Sequence, residues 1–298
     1  MKLLLFGKRG QLGWELQRSL APLGVLIALD AQGDGQTGGD FTDLAGLAAG
    51  VREVAPDVIV NAAAHTAVDR AESEPELART INALAPAVLA DEARRLGAWL
   101  VHYSTDYVFD GSGEIPWREN DATGPLSVYG QTKLAGEQAV SRWAKHLIFR
   151  SSWVYAARGN NFVRTILRLA AERDHLRVVA DQIGAPTGAE LIADVTAHAV
   201  REVQRQPHLA GLYHLAASGE TSWHGYACHI VEQARLAGRG TRVIPTAIEA
   251  VPASAWPSPA QRPHNSRLAT DKLRHTFAVE LPDWRVGVNR VLAEIFTR

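Results

Sequence analysis

Leu3-Leu-Leu-Phe-Gly7-Lys-Arg-Gly10-Gln-Leu-Gly13 lies near the start of the chain and decides its fold class. Four apolar residues run straight into three glycines spaced three apart, and a helical pattern follows. A Gly-x-x-Gly-x-x-Gly run is weak evidence alone, and its setting gives it meaning. At a strand–turn–helix junction, backbone N–H groups and the helix dipole can hold a pyrophosphate. Gly7 would allow the tight turn, Gly10 the approach of phosphates to the backbone, and Gly13 close packing of helix on strand. Gln11 and Leu12 occupy the same loop.

Outward from this stretch, strand-like apolar runs alternate with helical periodicity. Leu3–Phe6, Val25–Leu29, Val58–Val60, Trp99–Tyr103 and Leu147–Phe149 read as buried parallel strands. Between them, Leu12–Leu23, Leu44–Ala55, Pro75–Leu96 and Val128–Trp143 read as helices. The alternation predicts an α/β fold, a Rossmann-like doubly wound parallel sheet with ligands at the carboxyl ends of its strands. After residue 151 the alternation degrades, although Phe162–Arg173 and Ala189–Gln204 still read as helical. The expected division is a nucleotide-binding domain over 1–150 and a smaller α/β substrate lobe over 151–298, some of whose segments return to the first domain.

The 298 residues and 46% hydrophobic content suffice for a large core. A net charge of −1 offers neither a nucleic-acid footprint nor a polybasic membrane patch. The one cysteine, Cys228, excludes an intrachain disulfide, and no Cys/His cluster has zinc spacing. No apolar run is long enough to span a membrane, and the N-terminal one is too short for a signal peptide. These features lead us to expect a cytoplasmic protein with a small-molecule partner.

Asp30 ends the second strand, where a carboxylate accepts from adenosine ribose hydroxyls. Lys8 and Arg9 in the loop would instead welcome a 2′-phosphate that Asp30 repels, so use of both NADH and NADPH is expected. Asp40, Phe41, Ala64, His65 and Thr66 are candidates to line the adenine and nicotinamide ends, with Tyr103 beside them.

Tyr129-Gly-Gln-Thr-Lys133 places a phenol and an ammonium on one helical face. A phenol of ordinary pKa near 10 is a poor acid–base group at neutral pH, and the ammonium of Lys133, together with the positive charge of an oxidised nicotinamide, is expected to lower it. Thr105, in the Ser-Thr-Asp-Tyr run at 104–107, would supply a hydroxyl to the substrate carbonyl or to Tyr129. The competing reading for Ser104 and Thr105 is a turn satisfied by local hydroxyls.

These residues resemble the extended short-chain dehydrogenases/reductases, and among them the dTDP-4-dehydrorhamnose reductases. The likeness is carried by Asn-Ala-Ala-Ala-His-Thr-Ala-Val-Asp (61–69), His-Tyr-Ser-Thr-Asp-Tyr-Val-Phe-Asp-Gly (102–111), Ser-Val-Tyr-Gly-Gln-Thr-Lys (127–133) and Arg-Ser-Ser-Trp-Val-Tyr (150–155), in addition to the glycine loop. Asp-Gln-Ile-Gly-Ala-Pro-Thr (181–187) and Arg-Pro-His-Asn-Ser-Arg-Leu (262–268) extend it beyond the nucleotide domain. The resemblance implies hydride transfer from NADH or NADPH to the C4 ketone of a dTDP-sugar. Tyr129 would protonate the alkoxide, Lys133 would hold the ribose, and Thr105 would assist. Thr105, Asp106 and Trp153 would contact the sugar nucleotide, and Arg262, Asn265 and Ser266 its phosphates. Core packing competes for Trp153, and a surface loop for the last three. Some members join as homodimers through Mg2+ held by carboxylates, and Glu15, Glu190 and Glu294 occupy the matching positions. Three glutamates so far apart in sequence do not themselves indicate a metal site, and solvated surface is the competing reading.

Two other readings are open. Sugar-nucleotide dehydratases typically read Thr-Asp-Glu, whereas Tyr107 follows Asp106 here, so the second carboxylate is missing; an NAD-holding epimerase lacks no such group. The second is a non-catalytic NADP-binding regulatory subunit, against which the intact Thr105, Tyr129 and Lys133 set argues.

Overall fold

The computed structural model describes residues 1–32 and 38–297. Six parallel strands form the central sheet: β1 (Lys2–Phe6), β2 (Val25–Leu29), β3 (Val58–Asn61), β4 (Trp99–Thr105), β5 (His146–Ser151) and β6 (Gly211–His214). Their order is β6-β5-β4-β3-β1-β2, so the chain leaves β1 toward one edge and returns past it to β3. That reversal opens a crevice between β1 and β3, which is where ligands settle in doubly wound sheets.

Side-chain alternation along β1 explains the two faces. Leu3 and Leu5 face α1 (Gln11–Leu20) and a later helix, whereas Leu4 and Phe6 face α2 (Leu44–Val54) and α3 (Ala85–Leu96). A further helix, α4 (Val128–Val140), packs on α3 and contributes Val140 to that second layer. The expected helix Pro75–Leu96 is interrupted: Thr80–Leu84 form one π-helical turn between Pro75–Arg79 and α3. Gly136 of α4 lies against this turn, where a Cβ would come within 2.0 Å of the Asn82 carbonyl oxygen.

Beyond β5 come α5 (Phe162–Glu172), α6 (Ala189–Arg205), α7 (Trp223–Leu236) and α8 (Trp284–Thr297). α6 is the later helix that joins α1 on the sheet, and β6 pairs with β5, so both lie with the core of the central sheet. The remaining segments build a second core around Tyr155, Val163, Tyr226, Trp284 and Val288. It is edged by short strand pairs, Leu176–Val179 with Ile248–Val251 and Val154–Tyr155 with Thr187–Gly188. Strand β6 and helices α7 and α8 are not evident from periodicity. β6 has only four residues, and the buried face of α7 mixes Tyr226 and Ala227 with longer aliphatics. Among the described residues no helix is long and apolar enough to cross a membrane.

Candidate active site

The glycine loop follows β1 directly. Gly7 has φ +86°, and a Cβ there would sit 2.8 Å from the Ala62 carbonyl and the Ala63 nitrogen across the crevice. At Gly13 a Cβ would fall 1.9 Å from the Gly7 oxygen, so helix α1 can approach the loop only with glycine there. Gly10 caps α1 without a side-chain hydrogen bond, and the first turn carries no acidic residue. The donors at this helix start therefore face the crevice with no carboxylate competing for them.

A cleft of about 620 Å3 begins at this loop and runs along the ends of β3, β4 and β5. It brings together Gly7, Gly10, Gln11, Leu12, Ala64, Thr66, Tyr103, Thr105, Asp106, Tyr129, Lys133 and Trp153, residues dispersed over about half the chain. Asp30, at the end of β2, holds Arg9 (2.5 Å) with Lys8 at 4.0 Å, so the loop's two bases and the acid that opposes them form one ion-paired group.

Several predicted residues lie elsewhere. Phe41 is buried and its ring packs edge-on against Phe6 (5.4 Å), so it belongs to the core and not to the cleft wall. Asp40 is engaged with the amide and hydroxyl of Thr42 (2.8 and 2.7 Å). His65 does not line the cleft. Its backbone N–H and carbonyl are both bonded to the Asn82 amide (2.8 and 3.1 Å), which also donates to Thr132 (3.2 Å). Asn82, in the π-helical turn, thus ties the loop after β3 to α4 without itself carrying a motif visible in sequence.

Ser127 caps α4 by accepting from the Gly130 amide (3.2 Å), and Gly130 leaves room for the Tyr107 carbonyl. This start presents Tyr129 to the cleft, its ring edge-on to Tyr107 at 5.6 Å. Burial pushes the Tyr129 phenol up to about 12, while the Thr105 hydroxyl draws it down. The expected lowering by Lys133 is therefore corrected. The ammonium donates instead to the Tyr103 carbonyl (2.6 Å), and Lys133 is itself brought down to about 8 by burial. The Tyr103 hydroxyl is bonded to Thr196 (2.9 Å), leaving its backbone as the functional part.

Asp106 is buried, accepts from Thr105 (3.1 Å) and lies beside the Ser266 hydroxyl; burial lifts its carboxyl to about 6. Trp153 has φ +50°, a strained setting for a bulky residue that costs roughly 1–3 kcal/mol. Its ring stacks on Trp223 at 3.7 Å and fills the space left by Gly184, where a Cβ would approach it to 2.8 Å. The Gly-Ala-Pro-Thr segment at 184–187 thus makes room for the indole.

Trp223 also borders a second cavity of about 890 Å3, lined by Arg173, His175, Arg177 and Arg262 together with Phe162 and Trp256. Arg262 is paired with Asp69 (2.7 Å) and bonded to Ser258 (2.5 Å). Asn265 is a correction. Its amide donates to the carbonyls of Ser112 and Ile115 (3.3 and 2.9 Å) and its oxygen accepts from Arg267, so it fastens loops and offers a phosphate nothing. Trp223, Tyr107 and Asn82 are the site residues that sequence reading missed, and none stands in a motif whose spacing shows its role.

The three glutamates do not meet. Among the described residues no three His, Cys, Asp or Glu side chains gather to hold an ion. Glu15 faces Arg18 (3.4 Å), the buried Glu190 carboxyl is raised by burial with Arg290 acting against it, and Glu294 lies in the last turn of α8. Mg2+ is therefore not supported within one chain.

The chain was compared with known proteins. A family model described as "RmlD substrate binding domain" matches residues 1–297. The dTDP-4-dehydrorhamnose reductase of Escherichia coli (strain K12) is 60% identical, over 100% of this chain and 99% of that protein. Among solved structures, a dTDP-4-dehydrorhamnose reductase from Clostridium acetobutylicum is similar at TM-score 0.86 and 36% identity, covering 99% and 100% of the two chains. Another from Bacillus anthracis, in complex with NADP, has TM-score 0.86 and 34% identity, covering 98% and 99%.

Proposed function

The chain belongs to the RmlD substrate binding domain family of dTDP-4-dehydrorhamnose reductases, and from that premise we propose that it reduces the C4 ketone of dTDP-4-dehydro-L-rhamnose to give dTDP-L-rhamnose, with Tyr129 as proton donor. The observation that carries this reading is the single cleft that joins the glycine loop to Thr105, Asp106, Tyr129 and Lys133.

The residues present fit a nicotinamide dinucleotide. Gly7, Gly10 and the uncapped start of α1 would cradle its diphosphate, Asp30 with Lys8 and Arg9 would hold the adenosine ribose, and Lys133 would hold the nicotinamide ribose. When bound as NADH or NADPH it supplies the hydride. Asp30 favours free ribose hydroxyls and the two bases favour a 2′-phosphate, so this reading includes use of both forms.

In a reduction the protein must give a proton to the nascent alkoxide. A phenol held near 12 is protonated throughout the neutral range and close in acidity to an alcohol, which suits a donor better than a phenolate would. Thr105 draws the same phenol down, and turning its hydroxyl away from Asp106 would give a second hydrogen bond to the substrate oxygen. The stacked indoles of Trp153 and Trp223 form an apolar wall for the sugar face. The adjoining cavity, with its five arginine or histidine side chains, suits the nucleoside diphosphate, Arg262 being the best-placed cation. The lobe after residue 151 thereby covers the substrate. Association as a homodimer and a cytoplasmic location belong to the same reading.

The test is direct. Purified protein given dTDP-4-dehydro-L-rhamnose should consume NADH or NADPH, followed by loss of nicotinamide absorbance, and yield dTDP-L-rhamnose. No consumption with either coenzyme would refute the proposal.

A further inference from the structure

Tyr129, Lys133 and Glu137 recur at every fourth position of α4, so one buried face of the helix carries a phenol, an ammonium and a carboxylate in succession. The third of these has no part in the chemistry above. Glu137 is buried and is gripped from β5 by the equally buried Arg150, through two contacts of 2.5 and 3.0 Å. Arg150 is itself secured. Its guanidinium lies 4.9 Å over the Phe109 ring, donates to the Glu119 carbonyl (3.3 Å), and stands 3.5 Å from the His214 imidazole. Such an assembly is an expensive thing to bury, and packing alone would be served as well by apolar side chains.

We propose that Glu137, held in place by Arg150, is a positioning residue that keeps Lys133 an ammonium inside the protein. Burial presses Lys133 toward its neutral amine, and the carboxylate one helical turn away is the group that opposes this. Toward β4, Lys133 donates to the Tyr103 carbonyl and acts electrostatically on the imidazole of His102. That imidazole, bonded at Nδ1 to Asn61 (3.1 Å), is held neutral by burial and by the ammonium itself. Tyr129 on the same helix is uncharged, and the buried Asp106 lines the cleft beside Thr105. Arg150 fixes the carboxylate and prevents it from pairing tightly with Lys133, which leaves the ammonium's donors for the cleft. The inference rests on the Lys133 role proposed above.

Lys133 can be observed without coenzyme or substrate, because the chain has only five lysines, Lys2, Lys8, Lys133, Lys145 and Lys272, and their 13Cε resonances can be titrated individually. Glu137→Gln should lower the Lys133 midpoint by about one pH unit or more, and Glu137→Asp, which keeps the charge and guards against loss of the fold, by a smaller amount. The alkaline limb of kcat/KM should move by the same interval, about a tenfold loss of rate on that limb per unit. A midpoint unchanged in both variants overturns the proposal. A midpoint that moves while the rate profile stays fixed upholds Glu137 as the anchor and refutes the part assigned to Lys133 in the reaction.

Discussion

At Tyr129 two influences oppose each other, and burial outweighs the Thr105 hydroxyl, leaving the phenol near 12. Its removal in Tyr129→Phe should lower kcat by about 10²- to 10⁴-fold, the usual worth of a positioned acid, and leave coenzyme affinity unchanged in a fluorescence titration. A rate within a few-fold of the parent would show that another group gives the proton. Asp106 offers a test in pH. Its carboxyl is raised to about 6 from the usual 3.8, so the folded state holds that proton more tightly than the unfolded chain. The resulting stability is fully present below about pH 4 and is lost as pH rises through about 6. Above that the buried carboxylate costs roughly 3 kcal/mol. Asp106→Asn should therefore gain thermal stability relative to the parent at about pH 8 and lose that advantage near pH 4, as followed by unfolding midpoints. A difference independent of pH would contradict the assignment.

At the scale of elements, the start of α1 is a matter of distance. The 1.9 Å approach that a Cβ at Gly13 would make to the Gly7 oxygen cannot be relieved by a side chain, because both partners are backbone. Gly13→Ala should push the helix from the loop and destabilise the fold by about 1–3 kcal/mol. It should also raise the coenzyme Kd at least about tenfold, measured by calorimetry. An alanine variant with unaltered affinity would mean that the cradle does not hold the diphosphate. The π-helical turn at Thr80–Leu84 acts in the same region through Asn82, whose three hydrogen bonds fasten the loop before Thr66 to α4. Removing them in Asn82→Ala should raise the coenzyme KM more than it lowers kcat, because two of the three bonds hold the loop that borders the cleft and only one reaches α4, through Thr132.

In the whole molecule, the Asp69–Arg262 pair joins the helix Val68–Ser73 of the first domain to the strap that borders the second cavity. Both side chains are partly exposed, so the pair itself adds less than about 1 kcal/mol to stability. If Arg262 receives the substrate diphosphate, Arg262→Met should raise KM for the sugar nucleotide about tenfold or more with kcat and unfolding midpoint nearly unchanged, since a charge-assisted hydrogen bond is worth about 1.5–3 kcal/mol. An unchanged KM would place the phosphates elsewhere.

Much of this was legible in residues 1–150. Uninterrupted apolar strands, a glycine run at their first turn and Tyr129 with Lys133 each report on local geometry, and local geometry follows from spacing within one element. The family and its reductase chemistry were likewise readable from motifs spread along the chain. The tertiary structure alone decided what depends on distant neighbours. It turned Phe41 into the core, spent Asn265 on loop carbonyls, did not gather Glu15, Glu190 and Glu294 into one group, and brought Trp223 against Trp153. It also left the phenol of Tyr129 raised by burial where a lowering by Lys133 was expected, because a helical turn that places two side chains on one face does not determine which hydrogen bonds they choose or how deeply burial penalises their charge.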